Sequence, residues 1–238
     1  MSWASATWTA GLPRRVEPEW LDELPVDDPR AQRSRRDLRR VNVWMRQAGI
    51  MAAALLRHAP AAAPRMLLEI GAGDGTFMLR VARKIAPAFP GLRVMLLDRQ
   101  DLVSRATREA FAALTWHAEP IVADVFSFFP RADIVTANLF LHHFEQPRLT
   151  RLLAQAARAA PLLVACEPRR ATLALAGSRM LWAIGCNDVS RHDAAVSVHA
   201  GFNGAELSAM WPERAGWTLH ERSAGLFSHC FVAQRARA

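Results

Sequence analysis

The sequence predicts an α/β fold, a mostly parallel sheet covered by helices on both faces and ending in an antiparallel hairpin. Two patterns carry that reading. From residue 66 onward, short apolar runs such as Met66-Leu67-Leu68-Glu69-Ile70 alternate with longer amphipathic segments, and strands that are apolar on both faces belong to parallel sheets packed between helix layers. Near the C-terminal end, two strand-like segments are separated only by Ser223-Ala224-Gly225-Leu226, the spacing of a hairpin.

Taken in order, residues 1–17 are weakly patterned and read as a loose tail. Glu19 to Leu24 begins a short amphipathic piece, and Asp27-Asp28-Pro29 offers capping carboxylates and a proline for a following helix. From Arg30 to His58, Leu38, Val41, Trp44 and Met45 recur at helical spacing before the run Met51 to Leu56. The stretch Ala59 to Pro64 breaks this helical lead-in, which occupies 18–63. In the remaining domain, 64–238, strands are expected at Met66–Ile70, Arg93–Asp98, Pro120–Ala123, Asp133–Asn138 and Leu162–Glu167. Helices are expected at Gly75–Ile85, Asp101–Leu114 and Gln146–Ala159, with a short one at Gly204–Met210. Between Gly177 and Gly201 the periodicity fades, so that stretch reads as loop. Trp217–Arg222 and Phe227–Ala233 form the closing hairpin.

At 238 residues with 51% hydrophobic and 22% charged side chains, the chain suits one globular domain with an appendage rather than a disordered protein. Its three cysteines, Cys166, Cys186 and Cys230, are too few and too scattered for a disulfide framework or a paired-cysteine metal site. A cytoplasmic setting is therefore expected. No run approaches the roughly 20 apolar residues of a membrane helix, so no transmembrane segment is expected, and Met1 to Pro18 lacks the pattern of a signal peptide. The net charge of +8 would suit an anionic partner. Its cause is an arginine-rich composition, so a nucleic-acid partner is not the expected one.

The chemistry begins at Glu69-Ile70-Gly71-Ala72-Gly73-Asp74-Gly75, where a strand turns into a helix. Glycines at such a turn permit positive φ and close approach of backbone to a ligand. Dinucleotide-binding turns use the spacing G-x-G-x-x-G and face a pyrophosphate. Here the spacing is G-x-G-x-G. Glu69 would repel a pyrophosphate and suits a ligand carrying an ammonium and a sulfonium. Asp98 ends the second strand, where a carboxylate accepts from ribose hydroxyls. Asp124 ends the third strand, where it can accept from an adenine amine while Val125 packs on the ring.

Together these residues resemble the class I S-adenosylmethionine-dependent methyltransferases over Met66 to about Glu167, and by topology over Gly216 to Gln234. The resemblance implies a Rossmann-like, seven-stranded, mostly parallel sheet whose last strand is reversed. It also implies S-adenosylmethionine as cofactor, with Glu69, Gly71 and Gly73 around its methionine part, Asp98 on the ribose and Asp124 on the adenine. Ala72, Arg99 and Asn138 are grouped with that site.

The fourth strand runs into Asn138-Leu139-Phe140-Leu141-His142-His143-Phe144, at the crevice where both ligands of such a sheet should meet. Methyl transfer needs an aligned acceptor and, for a hydroxyl, loss of a proton, which a histidine suits. A Leu-His-His stretch here is similar to small-molecule methyltransferases, including those of quinone biosynthesis, in which such a histidine often only packs beside the cofactor. His142 and His143 are thus candidates for a base or for packing. The insertion 171–215 is expected to cover the acceptor, with Asn187, Arg191 and His192 as candidate acceptor contacts and His192 as a second candidate base. His192, Asp193 and His199 lack tight ligand spacing, so no metal is expected and a solvated polar loop is the default. The run Arg35 to Asn42 reads as a solvated basic face, the alternative being closure over the cofactor by Arg39 or Asn42.

The function expected is methylation of a small molecule, on oxygen of an aromatic or polyketide-derived acceptor. The likeness to bacterial methyltransferases of polyketide and phenolic-lipid pathways points the same way. An RNA- or protein-modifying methyltransferase and a non-catalytic S-adenosylmethionine-binding regulator are the alternatives. The fourth strand lacks the Asn/Asp-Pro-Pro-aromatic pattern of amino-directed nucleic-acid methyltransferases, which weakens the first of them.

Overall fold

A computed structural model describes residues 12–25, 27–60 and 63–236. The sequence reading of 1–11 as tail lies outside the described residues.

Seven strands form one sheet: β1 (Met66–Ile70), β2 (Arg93–Asp98), β3 (His117–Val122), β4 (Ile134–Asn138), β5 (Leu162–Pro168), β6 (Trp217–Ala224) and β7 (Ser228–Arg235). Their order is β3-β2-β1-β4-β5-β7-β6. The first five pair in parallel, and β7 lies antiparallel between β5 and β6. The last strand is reversed, as the hairpin pattern predicts. Order reverses at β1, with β2 on one side and β4 on the other, which opens a crevice at their carboxyl ends.

Strand alternation distributes the core. Leu67, Val94 and Leu96 face one helix layer, with α3 (Gln47–His58) and α4 (Thr76–Ile85) supplying Met51, Leu55, Phe77, Met78 and Val81. Leu68, Ile70, Met95 and Leu97 face the other, with α6 (Gln146–Ala159) supplying Leu149, Leu152 and Leu153. Phe111 and Trp116 complete the first layer around α5 (Arg105–Ala112). α5 begins after Ser104, whose side chain accepts from Thr107 N, so the helix expected from Asp101 starts four residues later.

The N-terminal part folds as α1 (Trp20–Glu23), α2 (Pro29–Trp44) and α3. Proline opens α2, and the Asp28 carboxylate accepts from Arg30 N, the expected cap. The stretch from Gly177 to Gly201 read as loop is instead largely helical, holding the end of α7 (Thr172–Arg179), a 3-10 turn at Met180–Ile184 and α8 (Asp188–Ala200). The next helix, α9 (Glu206–Met210), falls within the short helix expected at Gly204–Met210. α8 packs against α1, α2, α7, β5 and the turn after β4. Neighbours on several sides, with Ser190 and Asp193 buried as polar residues, erase the one-sided apolar stripe by which a helix is read. Among the described residues no helix is long and apolar enough to cross a membrane.

Candidate functional site

The glycine turn joins β1 to α4 at the crevice. Gly71 has φ 67° and Gly73 φ 55°, the left-handed region that side chains resist. A side chain at Gly71 would overlap the ring of Phe140, whereas the space beside Gly73 is open. Gly73 N donates to Asp98 Oδ2 (2.9 Å) and Ala72 N to the Leu97 carbonyl (3.1 Å). The turn is thereby tied to the end of β2. Asp74 Oδ1 accepts from Thr76 N (3.0 Å).

Two adjoining clefts open here, of about 470 and 230 Å³. Asp22, Gly71, Asp98, Arg99 and Leu139 line both, so they form one groove along the strand ends. The larger holds Asp124 and Val125, and the smaller holds Glu69, Ala72, Gly73 and Asn138. The structure therefore gathers all nine residues grouped by sequence as a cofactor site.

The small cleft holds unpartnered acceptors. Asn42 Oδ1, Glu69 Oε2 and Asn138 Oδ1 are buried without hydrogen-bond partners, and each residue lines this cleft. Burial, with the negative charge of Asp74 and Asp98 added, holds the Glu69 carboxyl well above the usual carboxylate range. Such a group favours a cationic donor. The cleft is roofed by α2, where Arg39 Nη1 donates to Asp74 Oδ2 (2.7 Å) and Arg80 Nη1 to the Arg39 carbonyl (3.0 Å). Arg35, Arg39 and Asn42 line the cleft. The basic run thus divides: Arg36 and Arg40 are exposed, as a solvated face requires, whereas Arg39 faces a carboxylate on the glycine turn, as in the alternative reading.

At the far end of the larger cleft, β4 passes through Leu139, at φ 51°, into a 3-10 turn at Leu141–His143. Glu167, the last residue but one of β5, accepts from Phe140 N (3.1 Å), Leu141 N (2.9 Å) and His142 N (3.3 Å). His142 Nδ1 donates to the same carboxylate at 2.8 Å. Its Nε2 lies 3.3 Å from Glu19 Oε1. Burial alone would lower the His142 pKa, but hydrogen bonds to Glu167 and Glu19 raise it to about 9. Burial opposes ionisation of Glu19, yet the bond from His142 and the charges of both histidines bring it to about 2. The two are a buried ion pair. His142 lines neither cleft, whereas His143 lines the larger one, with Nδ1 3.4 Å from Asp22 Oδ2.

The residues expected to touch the acceptor from the insertion lie elsewhere. Asn187 caps α8 by accepting from Ser190 N, its own N donates to Asp37, and its Nδ2 donates to the Arg30 carbonyl. Arg191 is exposed. His192 stacks on Trp20, ring centroids 3.8 Å apart, and pairs with Asp193. Asp193 accepts from Trp20 N and Leu21 N. None of Asn187, Arg191 and His192 lines either cleft. Their side chains fasten the N-terminal segment or face solvent because α8 is a packed helix and not a loop over the groove.

Sequence reasoning missed Glu19, Asp22 and Glu167. Glu167 repeats the signal of Asp98 and Asp124, a carboxylate closing an apolar strand. Glu19 and Asp22 carried no such signal, since they meet His142 and His143 only through the fold.

Residues 68–160 match the family model of a methyltransferase domain. The strychnine O-methyltransferase of Strychnos nux-vomica is 30% identical over 95 residues, 40% of this chain and 24% of that protein. An uncharacterized methyltransferase of Mycobacterium tuberculosis is 36% identical over 91 residues, 36% of this chain and 42% of that one. The matches thus span less than half the length of either relative. The solved structure of the plantazolicin methyltransferase BpumL in complex with SAH has a TM-score of 0.63 at 13% identity, over 88% of this chain and 91% of that one. The fold is that of a Rossmann-like methyltransferase.

The cofactor implied by this fold is S-adenosylmethionine, and the residues present fit it. Three partnerless oxygens stand where an ammonium, with its N–H donors, would be received. Asp98 uses one acceptor direction for Gly73 N and one for Gln100 N, which leaves lone pairs for ribose hydroxyls. Asp124 and the buried Val125 offer the adenine an acceptor and an apolar wall.

Proposed function

We propose that this chain, carrying a methyltransferase domain over 68–160, is an S-adenosylmethionine-dependent enzyme that methylates a small molecule, on an oxygen of an aromatic or polyketide-derived acceptor. The observation that carries the reading is the acidic groove with unsatisfied Asn42, Glu69 and Asn138 oxygens at one end and His143 at the other. The O-methyltransferase relative supports oxygen as the atom methylated.

The bound cofactor supplies an electrophilic methyl group on a sulfonium. Glu69, Asn42 and Asn138 hold its amino-acid end, Asp98 fixes the ribose and Asp124 the adenine. The Arg39–Asp74 pair ties α2 to the glycine turn. Leu139, common to both clefts, sits between the two ends and orients the acceptor against the methyl donor. The energetic gain is chiefly alignment. At the opposite wall, His143 lines the cleft beside Asp22 and receives the proton that a hydroxyl must lose. His142, behind them on Glu167, positions that wall.

The test is incubation with methyl-labelled S-adenosylmethionine and a metabolite extract, followed by mass spectrometry. A labelled small molecule whose formation depends on the protein is expected. Label confined to RNA or protein, or label on nothing, contradicts the proposal.

A further inference from the structure

Glu19, His142 and His143 present ligand atoms that all lie within 4.8 Å of one another. We propose that they form a binding site for one divalent transition-metal ion of the zinc class, with an open fourth position toward the larger cleft, beside Asp22. This deepens the functional reading and rests on it for what the ion would act on; the binding of the ion stands on the geometry alone.

The donor set is two imidazoles and a carboxylate, which suits zinc with one coordination position left open. His142 Nε2 and Glu19 Oε1 are 3.3 Å apart, close to the edge of a tetrahedron built on bonds of about 2.0–2.1 Å. The far nitrogen of His142 is held by Glu167, a fully buried carboxylate that itself takes three backbone N–H groups. A carboxylate on the second nitrogen fixes the tautomer so that Nε2 carries the free lone pair, the arrangement found behind metal-bound histidines. His143 stacks obliquely on His142, ring centroids 4.3 Å apart. Its Nδ1 lies 3.4 Å from Asp22 Oδ2.

Position supports a role as well as binding. Glu19 and His143 line the cleft, so an ion held by them faces the acceptor end of the groove. With the ion bound, His143 is a ligand and no longer the base, and a coordinated hydroxyl loses its proton to water more readily. Its oxygen forms the new bond to the methyl carbon while the electrons of the breaking carbon–sulfur bond stay on sulfur. The class of acceptor this selects is a phenol or another hydroxyl able to ligate a cation. The competing occupant of the space between Glu19 and His142 is a proton, and the experiment separates the two.

The full chain, stripped with chelator, is titrated with zinc chloride by calorimetry and with cobalt(II) by visible absorption. One ion per chain is expected, with the d–d bands of a low-coordinate cobalt site. Glu19→Gln and His143→Ala should each weaken zinc binding at least about 100-fold, and Glu167→Gln about 10- to 100-fold. Glu19→Gln keeps shape and hydrogen bonding, so it serves if another variant fails to fold. Absence of stoichiometric binding, or equal binding by wild type and Glu19→Gln, overturns the site. S-adenosylmethionine binding measured on the same samples distinguishes the failures: loss of metal alone leaves the functional reading standing, and absence of cofactor binding removes that reading while leaving the metal result to be judged on its own.

Discussion

His142 Nδ1 and Glu167 Oε2 lie 2.8 Å apart with both side chains buried, and the same carboxylate holds the backbone N–H groups of residues 140, 141 and 142. One strand-end acid thus fixes the turn that carries the acceptor wall. Glu167→Ala should cost about 3–5 kcal/mol, since it leaves a buried charge and backbone donors unpaired. Urea unfolding checks this, and a loss below 1 kcal/mol would show that the carboxylate does not hold the turn.

The same pair sets a pH dependence in the metal-free protein. The folded His142 pKa of about 9 exceeds the usual 6.5, so its contribution is complete below pH 6.5 and is lost as pH rises through 9. Its size is on the order of 3 kcal/mol. Glu19, held at about 2 against 4.5, contributes fully above 4.5 and loses its share as pH falls through 2. Melting temperature followed from pH 5 to 10 should decline on the alkaline side, and His142→Gln should flatten that decline. An unchanged alkaline slope in the variant would place the titration elsewhere.

Burial, with the charges of Asp74 and Asp98 added, raises the Glu69 carboxyl well above the usual carboxylate range. A ligand bearing an ammonium favours the ionised carboxylate, so cofactor binding should release a proton and tighten as pH rises. Calorimetry in two buffers of different ionisation enthalpy measures the release. Glu69→Gln should abolish it and weaken binding by about 1.5–3 kcal/mol. A proton count of zero for wild type contradicts the assignment.

Gly71→Ala places a side chain against the Phe140 ring at φ 67°. The backbone conformation alone costs about 1–2 kcal/mol, and displacement of Phe140 adds to it. Gly73→Ala meets nothing within 4 Å, so beyond the same backbone strain its effect should fall on cofactor affinity. Comparing both variants by thermal melts and calorimetry tests whether the space beside Gly73 is the cofactor's.

Local signals made much of this legible. β1, β2 and α6 fall on the residues predicted from apolar runs and amphipathic spacing, and the Glu69, Asp98 and Asp124 carboxylates announce themselves by standing in or just after the last residues of apolar strands. α8 was illegible because its neighbours surround it, and its buried Asp193 serves the N-terminal segment rather than the groove. The Glu19–His142 contact spans 123 positions, so no spacing in the chain encodes it. Arg39 looked like its neighbours in a basic run, and only Asp74 on the glycine turn singles it out.

The proposed activity depends on the groove at the ends of β1 and β2 binding S-adenosylmethionine, with Asp98 on its ribose. Calorimetric titration of the cofactor into wild type and Asp98→Ala tests it most directly, with circular dichroism confirming that the variant is folded. Stoichiometric binding by wild type and a loss of about 10- to 100-fold in the variant are expected from the removed charge-assisted hydrogen bonds. Equal affinity in the two, or no binding by wild type, would contradict it.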